Sequence, residues 1–455
     1  MDAMTAPNSP YRGKRVVVLG LGRSGVAAAR LLLRYGASVT VCDSGESAAV
    51  LERAALLRGE GCHSLTGSAA EQDATHYDLA VLSPGIEETT ALVMNVTGKE
   101  IPLIGELELA FGFCNCPVVA ITGSNGKTTT TELTTRMLQR AGRNTASCGN
   151  IGTPMSELVA EGEAWDLLVV EVSSFQLENI RTFRPKVALW LNLSPNHLDR
   201  YPSMKEYREA KLRIFENQTE DDVAVIPFGE SLPELAARKI TFSTQSPDAD
   251  LTLEGTVISY HGSTILDLAE TKLRGMHNAA NLMAAFGCGI ALGVEPRRVA
   301  EAVTDYTPPA HRCELIDESD GIRWINDSKA TNLDAMEQAI RSVSGRLILI
   351  AGGKDKGFGF ASIAPLVNER VSLAILIGEM RHRIAHDWEP MTVSTVDSLE
   401  EAVALAAEKS TPGSTVLFSP GTSSFDMFRD YIDRGETFKR SVKAITEALL
   451  TTSTP

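Results

Sequence analysis

The sequence predicts an α/β protein of three domains: a Rossmann-like N-terminal domain, a central P-loop ATPase-like domain and a C-terminal Rossmann-like α/β domain. Three observations predict it. A strand, a glycine turn and a helix follow one another over residues 15–36, and the same succession returns at 118–130 with a lysine after the turn. Beyond a proline break at Thr307-Pro308-Pro309-Ala310, a third set of apolar runs each ends in a polar loop. Apolar strands alternating with helices, with polar residues at one end, are the pattern of parallel sheets that bind ligands at strand carboxyl ends. We place the domains at 1–108, 109–308 and 309–455.

The chain is long enough for about three domains, and 43% hydrophobic residues supply their cores. Forty-three Lys and Arg against 58 Asp and Glu give a net charge of −15. That balance excludes broad binding to nucleic acid or acidic membrane, so an anionic substrate has to meet locally placed cations. The seven cysteines are scattered without paired spacing, which indicates neither a disulfide framework nor a zinc site. Cys114 and Cys116 read as a buried strand edge. No run approaches the roughly 18 apolar residues of a membrane helix, and no signal peptide is visible. We expect a cytoplasmic monomer.

The first domain opens with RVVVLG, then Gly20-Leu21-Gly22-Arg23-Ser24-Gly25 and the helical pattern VAAARLLLRYG; a second strand, SVTVCD, ends at Asp43. This is a dinucleotide-type fingerprint with an acidic residue for a ribose. It suits a nicotinamide-dependent oxidoreductase, or any other diphosphate ligand, including a nucleotide-sugar. The strands DLAVLSPGI (78–86) and EIPLIGEL (100–107) continue the unit, with Ser83 and Gly85 at a strand end.

In VVAITGSNGKTTT (118–130), Gly123, Ser124, Asn125 and Gly126 let backbone N–H groups close on phosphate oxygens. Lys127 reaches the β and γ phosphates, Thr128 can hold Mg²⁺, and Thr129 follows on the helix. The match departs from G-x-x-x-x-G-K-[ST], since Ile121 stands at the first glycine position. CGNIGTP (148–154) puts Asn150 in a loop, and DLLVVEVSSFQLE ends a buried strand at Glu171, placed as the acidic partner of a Mg²⁺ site. His197, in a loop, and Lys211, on a helix, read from the residues alone as an ordinary loop histidine and a solvated lysine. Residues 222–275 alternate strand-like runs, and Asn278 and Asn281 fall on one helix face. The third domain carries Asp327, Lys329 and Thr331 after GIRWIN, Lys354 and Lys356 after LILIAGG, and Ser424 after TVLFSPGTS. A parallel sheet is expected there.

Taken in order, GLGRSG, SPGI, ITGSNGKTTT, GNIG, EVSSFQLE, NHLDRY, AKLRIFE, HNAAN, HRCE, RWINDSKATN, GGKDKG and SPGTSSFDMF resemble the Mur ligase family of peptidoglycan synthesis. The resemblance runs from Tyr11 to about Gly435 and is strongest to the D-glutamate-adding branch; the D-N-P-R motif of the diaminopimelate-adding branch is absent. It implies an N-terminal domain for UDP, a central ATP domain and a mobile C-terminal domain for the amino acid. The implied reaction phosphorylates the L-alanyl carboxylate of UDP-N-acetylmuramoyl-L-alanine with ATP. The amine of D-glutamate then displaces phosphate.

Carried over by motif, Lys127, His197, Lys211 and Lys329 are catalytic. Thr128 and Glu171 hold one Mg²⁺, and His197 with a carbamylated Lys211 holds a second. Asn278, Asn281, Arg312 and Asp327 match nucleotide contacts, and Gly22, Arg23, Ser24, Asp43, Ser44, Ser83, Gly85 and Asn150 the sugar-nucleotide side. Thr331, Lys356, Ser424 and Tyr431 match the D-glutamate pocket; Tyr431 stands where a phenylalanine is familiar, and Gly421-Thr422 where Ala-Cys is. Another amino-acid ligase of the family and a non-ligating ATPase are the remaining alternatives.

Overall fold

A computed structural model describes residues 9–196, 200–273, 275–307, 310–343, 345–356 and 359–452. Three sheets carry the architecture. Two compact units are distinguishable by contact density: the described residues of Met1–Asn192, Tyr207–Thr271 and Ala279–Asp305, and those of Leu193–Glu206, Lys272–Asn278 and Tyr306–Pro455. The first unit holds the first two sheets and the second unit holds the third.

The first sheet contains β1 (Arg15–Leu19), β2 (Ser38–Asp43), β3 (His63–Thr66), β4 (Leu79–Leu82) and β5 (Leu103–Gly105), in the order β3-β2-β1-β4-β5. Every neighbouring pair is parallel. Alternate residues of β1 feed two cores: Val16 and Val18 pack with Leu31 and Leu32 of helix α1 (Arg23–Arg34), and Val17 and Leu19 with Leu92 and Val93. Both faces are covered, so the strand reads as unbroken Val-Val-Val-Leu, and each side chain contributes about 1.5–3 kcal/mol by leaving water. The strand expected over 100–107 is shorter. Pro102 lacks a ladder donor, the strand spans only Leu103–Gly105, and Glu106 already opens helix α2 (Glu106–Phe111).

Cys114 and Cys116 do not form a strand edge. They sit half-buried in the loop between α2 and β6 (Val118–Thr122), where Gly112 ends the helix and Pro117 precedes the strand.

The second sheet has the order β14-β13-β12-β11-β10-β9-β6-β8-β7. It comprises β6, β7 (Thr145–Gly149), β8 (Leu167–Glu171), β9 (Val187–Trp190), β10 (Val223–Pro227), β11 (Arg238–Ser243), β12 (Leu251–Glu254), β13 (Val257–Tyr260) and β14 (Ser263–Asp267). Its centre, β6, lies parallel between β8 and β9. Two expectations change. Cys148 and Gly149, read as loop, complete the edge strand β7. The run TVISYHGSTILDL is two antiparallel strands, because His261 and Gly262 both have positive φ, 46° and 76°, and make a two-residue hairpin turn.

The third sheet comprises β15 (Glu314–Ser319), β16 (Ile322–Asn326), β17 (Arg346–Gly352), β18 (Val371–Ile377), β19 (Val393–Thr395) and β20 (Ser414–Phe418), in the order β15-β16-β20-β17-β18-β19. It is not parallel throughout: β15 pairs antiparallel to β16 through a second hairpin turn, Asp320-Gly321, with φ of 52° and 72°. Glu314, Asp317 and Glu318 keep that strand polar, as suits an edge. Inside the sheet β17 alternates like β1, with Leu347, Leu349 and Ala351 in one core and Ile348 and Ile350 in the other. No helix among the described residues is long and apolar enough to cross a membrane.

Candidate active site

In the first unit, β6 delivers the chain at its carboxyl end into Gly123, Ser124, Asn125 and Gly126, and helix α3 (Lys127–Arg140) begins at once. Two glycines are obligatory here. A Cβ on Gly123 would lie 2.8 Å from Leu191 Cβ, and one on Gly126, whose φ is 82°, would lie 2.2 Å from Asn281 Oδ1. Asn192, which follows β9, ties the turn from beneath. Its main-chain oxygen accepts from Ser124 N at 3.1 Å, its Oδ1 from Asn125 N at 2.9 Å, and its Nδ2 donates to Asn125 O at 3.1 Å. The turn is thereby rigid, lies at a helix N-terminus and has small side chains, which suits an anion. Lys127 Nζ donates to Gly123 O at 2.8 Å and Ser124 O at 2.9 Å, so its ammonium is held within the turn.

Glu171 ends β8 in register with Ile121, two residues before Gly123. It is 3% exposed; Oε1 accepts from Asn150 Nδ2 at 2.8 Å, and Oε2 has no partner. Thr128, the second residue of α3, is also buried. A buried carboxylate oxygen left unsatisfied at the end of the strand next to the one that feeds the glycine turn fits a hard cation such as Mg²⁺, which takes few protein oxygens and completes its shell with phosphate and water. No group of three or more His, Cys, Asp or Glu arranged for a metal occurs among the described residues.

Lys211, on helix α4 (Met204–Leu212), is not a solvated lysine. It is 2% exposed, donates from Nζ to Gly123 O at 3.0 Å and lies 4.8 Å over the Tyr207 ring. Burial first, and the neighbouring Lys127 charge second, hold its ammonium well below the usual lysine range, against the pull of Glu171. Tyr207 in turn hydrogen-bonds Ser124 Oγ at 3.2 Å. His197, the other residue expected at a second metal, lies outside the described residues. On helix α5 (Met276–Ala291), Asn281 is buried against the turn and Asn278 half-buried three residues earlier.

The first sheet carries a second glycine turn at its switch point between β1 and β4. Gly20 and Gly25 approach so closely that a Cβ on Gly25 would lie 1.9 Å from Gly20 O. Asp43 Oδ2 accepts from Leu21 N at 2.7 Å and Oδ1 from Gly45 N at 2.8 Å, so this carboxylate fixes the loop itself. Ser83, buried at the end of β4, donates to Gly20 O at 3.4 Å. Gly22, Arg23, Ser44 and Gly85 are exposed around this loop and Ser24 is half-buried.

In the second unit, Asp327 follows β16. Its Oδ2 accepts from Ser419 Oγ at 2.8 Å and its Oδ1 from Cys313 N at 3.1 Å, while burial raises its carboxyl to about 6. Arg312 Nε is buried without a partner, one residue from Cys313. Lys329 Nζ lies 5.1 Å over the Tyr431 ring. Lys354 N donates to Ser423 O at 3.0 Å, which brings the loop bearing Lys356 to the loop bearing Ser424. Arg434 joins these segments from below: it is 1% exposed and donates to Ser328 O at 2.7 Å, Ser328 Oγ at 3.1 Å and Thr422 O at 3.1 Å. Thr331 is half-buried on the same stretch as Ser328.

Sequence reasoning missed Asn192, Tyr207, Ser419 and Arg434, whose hydrogen bonds hold loops in place. The one available signal was a polar residue directly after an apolar run, as at Asn192 and Ser419.

Three family models match the chain: Mur ligase MurD-like, N-terminal domain, over residues 14–105; Mur ligase middle domain over 121–289; and Mur ligase, glutamate ligase domain, over 311–421. The UDP-N-acetylmuramoylalanine–D-glutamate ligase of Pelobacter propionicus is 42% identical, covering 95% of this chain and 99% of its own. That of Trichlorobacter lovleyi is 41% identical over the same shares. Among solved structures, UDP-N-acetylmuramate-alanine ligase MurC of Thermotoga maritima aligns with a TM-score of 0.62 at 18% identity, over 95% of this chain and 99% of that one. MurF ligase of the same organism, in complex with ADP, aligns at 0.61 and 16%, over 98% and 99%. The glycine turn at residues 20–25 therefore lies within a MurD-like domain, which lends no support to a nicotinamide enzyme. By these matches across nearly its whole length, the chain belongs to the Mur ligase family.

Proposed function

We propose that this chain joins D-glutamate to UDP-N-acetylmuramoyl-L-alanine with ATP, as a cytoplasmic monomer of three domains bounded at 1–108, 109–308 and 309–455. One observation carries the reading: a rigid glycine turn holding Lys127 stands beside an unsatisfied Glu171 oxygen and a buried Lys211, in a chain alike end to end to ligases of that name.

In the proposed reaction a carboxylate oxygen of the L-alanyl group bonds to the γ phosphorus as the bond to ADP breaks. The D-glutamate amine then attacks the acyl carbon, and phosphate leaves with the former carboxylate oxygen while the amine loses a proton. Backbone N–H groups of residues 123–126 and the Lys127 ammonium stabilise the charge that spreads over the transferred group. Thr128 and Glu171 would hold Mg²⁺, which when bound neutralises phosphate charge so that two anions can meet. Lys211, whose ammonium burial disfavours, is suited to take up carbon dioxide, and the resulting carbamate with His197 would hold a second ion. Asn281 and Asn278 are assigned to the adenine side, Arg312 and Asp327 to the nucleotide, and Lys329 to the reacting centre. The loops around Gly22, Arg23, Ser24, Asp43, Ser44, Ser83, Gly85 and Asn150 are assigned to the sugar-nucleotide, and Thr331, Lys356, Ser424 and Tyr431 to D-glutamate.

The test offers UDP-N-acetylmuramoyl-L-alanine, ATP and one amino acid at a time, with product mass as readout. The expected product appears with D-glutamate and not with L-alanine, diaminopimelate or lysine. A product with any of the latter alone would replace the assignment with another branch of the family.

A further inference from the structure

We propose that Cys114 and Cys116 form a reactive dithiol, a modification site that closes to a disulfide by exchange with low-molecular-weight disulfides. The two sulfurs lie 3.5 Å apart, and Cys114 Sγ also lies 3.4 Å from Cys116 O. Bond formation needs them to approach from 3.5 Å to about 2.0 Å. Asn115 is exposed between them. Both cysteines are half-buried, so a small disulfide has access. Cys42, Cys62, Cys148 and Cys288 are buried, and no other sulfur pair is in contact among the described residues.

The surroundings make the pair unequal. The contact between the two thiols holds Cys114 below the usual thiol range and pushes Cys116 up, with burial and the Cys148 thiol adding to the latter. A thiolate at neutral pH attacks, and its higher-pKa neighbour resolves the mixed disulfide. By contrast the Cys148 thiol, behind the pair on β7, is buried and raised, and stays inert.

The chemistry balances with a disulfide as oxidant. The Cys114 thiolate attacks one sulfur of R–S–S–R and expels R–S⁻. Cys116 gives its proton to that leaving thiolate, and its sulfur attacks Cys114 and expels the second R–S⁻. The second R–S⁻ takes up from solvent the proton that Cys114 released, so the two cysteines lose two electrons in all and the small disulfide becomes two thiols. The loop is the covalent link between α2 and β6, whose far end carries the Lys127 turn, so closure would shorten the chain just ahead of that strand. None of this depends on the ligase reading.

The test incubates the intact, reduced protein with oxidised glutathione at neutral pH, quenches with acid and maps peptides by mass. The peptide carrying residues 114 and 116 is expected to lose two hydrogen atoms, reversibly with dithiothreitol. Cys116→Ser is expected to stop at a glutathione adduct on Cys114, and Cys114→Ser to react at least about tenfold more slowly. An unchanged peptide, stable adducts on both cysteines, or equal rates for the two variants would overturn the proposal.

Discussion

Lys211 shows how much a single side chain is altered by its setting. On the sequence it is one charge in YREAKLR; in the fold it is 2% exposed, beside Gly123 O and near Lys127. An ammonium there is disfavoured, and a neutral amine is the form that adds carbon dioxide. Lys211→Ala is expected to lower kcat about 100-fold or more at unchanged thermal stability, and added bicarbonate to raise the activity of partly active variants at the site. Full activity of Lys211→Ala would remove the carbamate from the account. Asp327 gives a second residue-scale expectation. Its folded pKa of about 6 lies above the unfolded value of 3.8, because burial opposes ionisation. The folded state therefore takes up the proton first, and stability rises as pH falls from above 6 to below 4, by up to about 3 kcal/mol from this group. Comparing thermal unfolding at pH 7.5 and 5 isolates it: Asp327→Asn should lose this part of the pH dependence. An identical pH profile in wild type and variant would contradict the burial argument.

At the scale of elements, the turn between β6 and α3 is set by what lies against it. Gly126→Ala would place a Cβ 2.2 Å from Asn281 Oδ1 at a left-handed φ. It is expected to cost about 1–3 kcal/mol in stability and to raise KM for ATP, as unfolding and ATP titration would show. Unchanged values for both would mean that the turn is looser than described. The same scale explains what could be read in advance. Central strands β1, β6 and β17 are buried on both faces and so appear as apolar runs. Edge strands β7 and β15 carry polar residues and disappear into loops. His261-Gly262 and Asp320-Gly321 hide hairpins, because the turn depends on positive φ at a non-glycine residue. The strand, glycine turn and helix at 118–140 and the strand ending at Glu171 were legible from local spacing. Asn192, Tyr207 and Arg434 were not, since each acts on a segment distant in sequence: Tyr207 on Ser124, and Arg434 on Ser328 and Thr422.

For the molecule as a whole, the residues assigned to the nucleotide are split between compact units: Lys127 and Asn281 belong to the first, Arg312 and Asp327 to the second. We predict that the units close on ATP, as ligand-induced closure does in many enzymes. Solution scattering is expected to show a smaller radius of gyration with an ATP analogue and the sugar-nucleotide together than with neither; an unchanged radius would count against closure. We propose that the Lys127 turn delivers the γ-phosphoryl group to the substrate's carboxylate. Labelling that carboxylate of UDP-N-acetylmuramoyl-L-alanine with ¹⁸O and analysing the phosphate released with D-glutamate tests it most directly. One ¹⁸O atom is expected in each phosphate formed. Unlabelled phosphate, or label found in AMP, would contradict it.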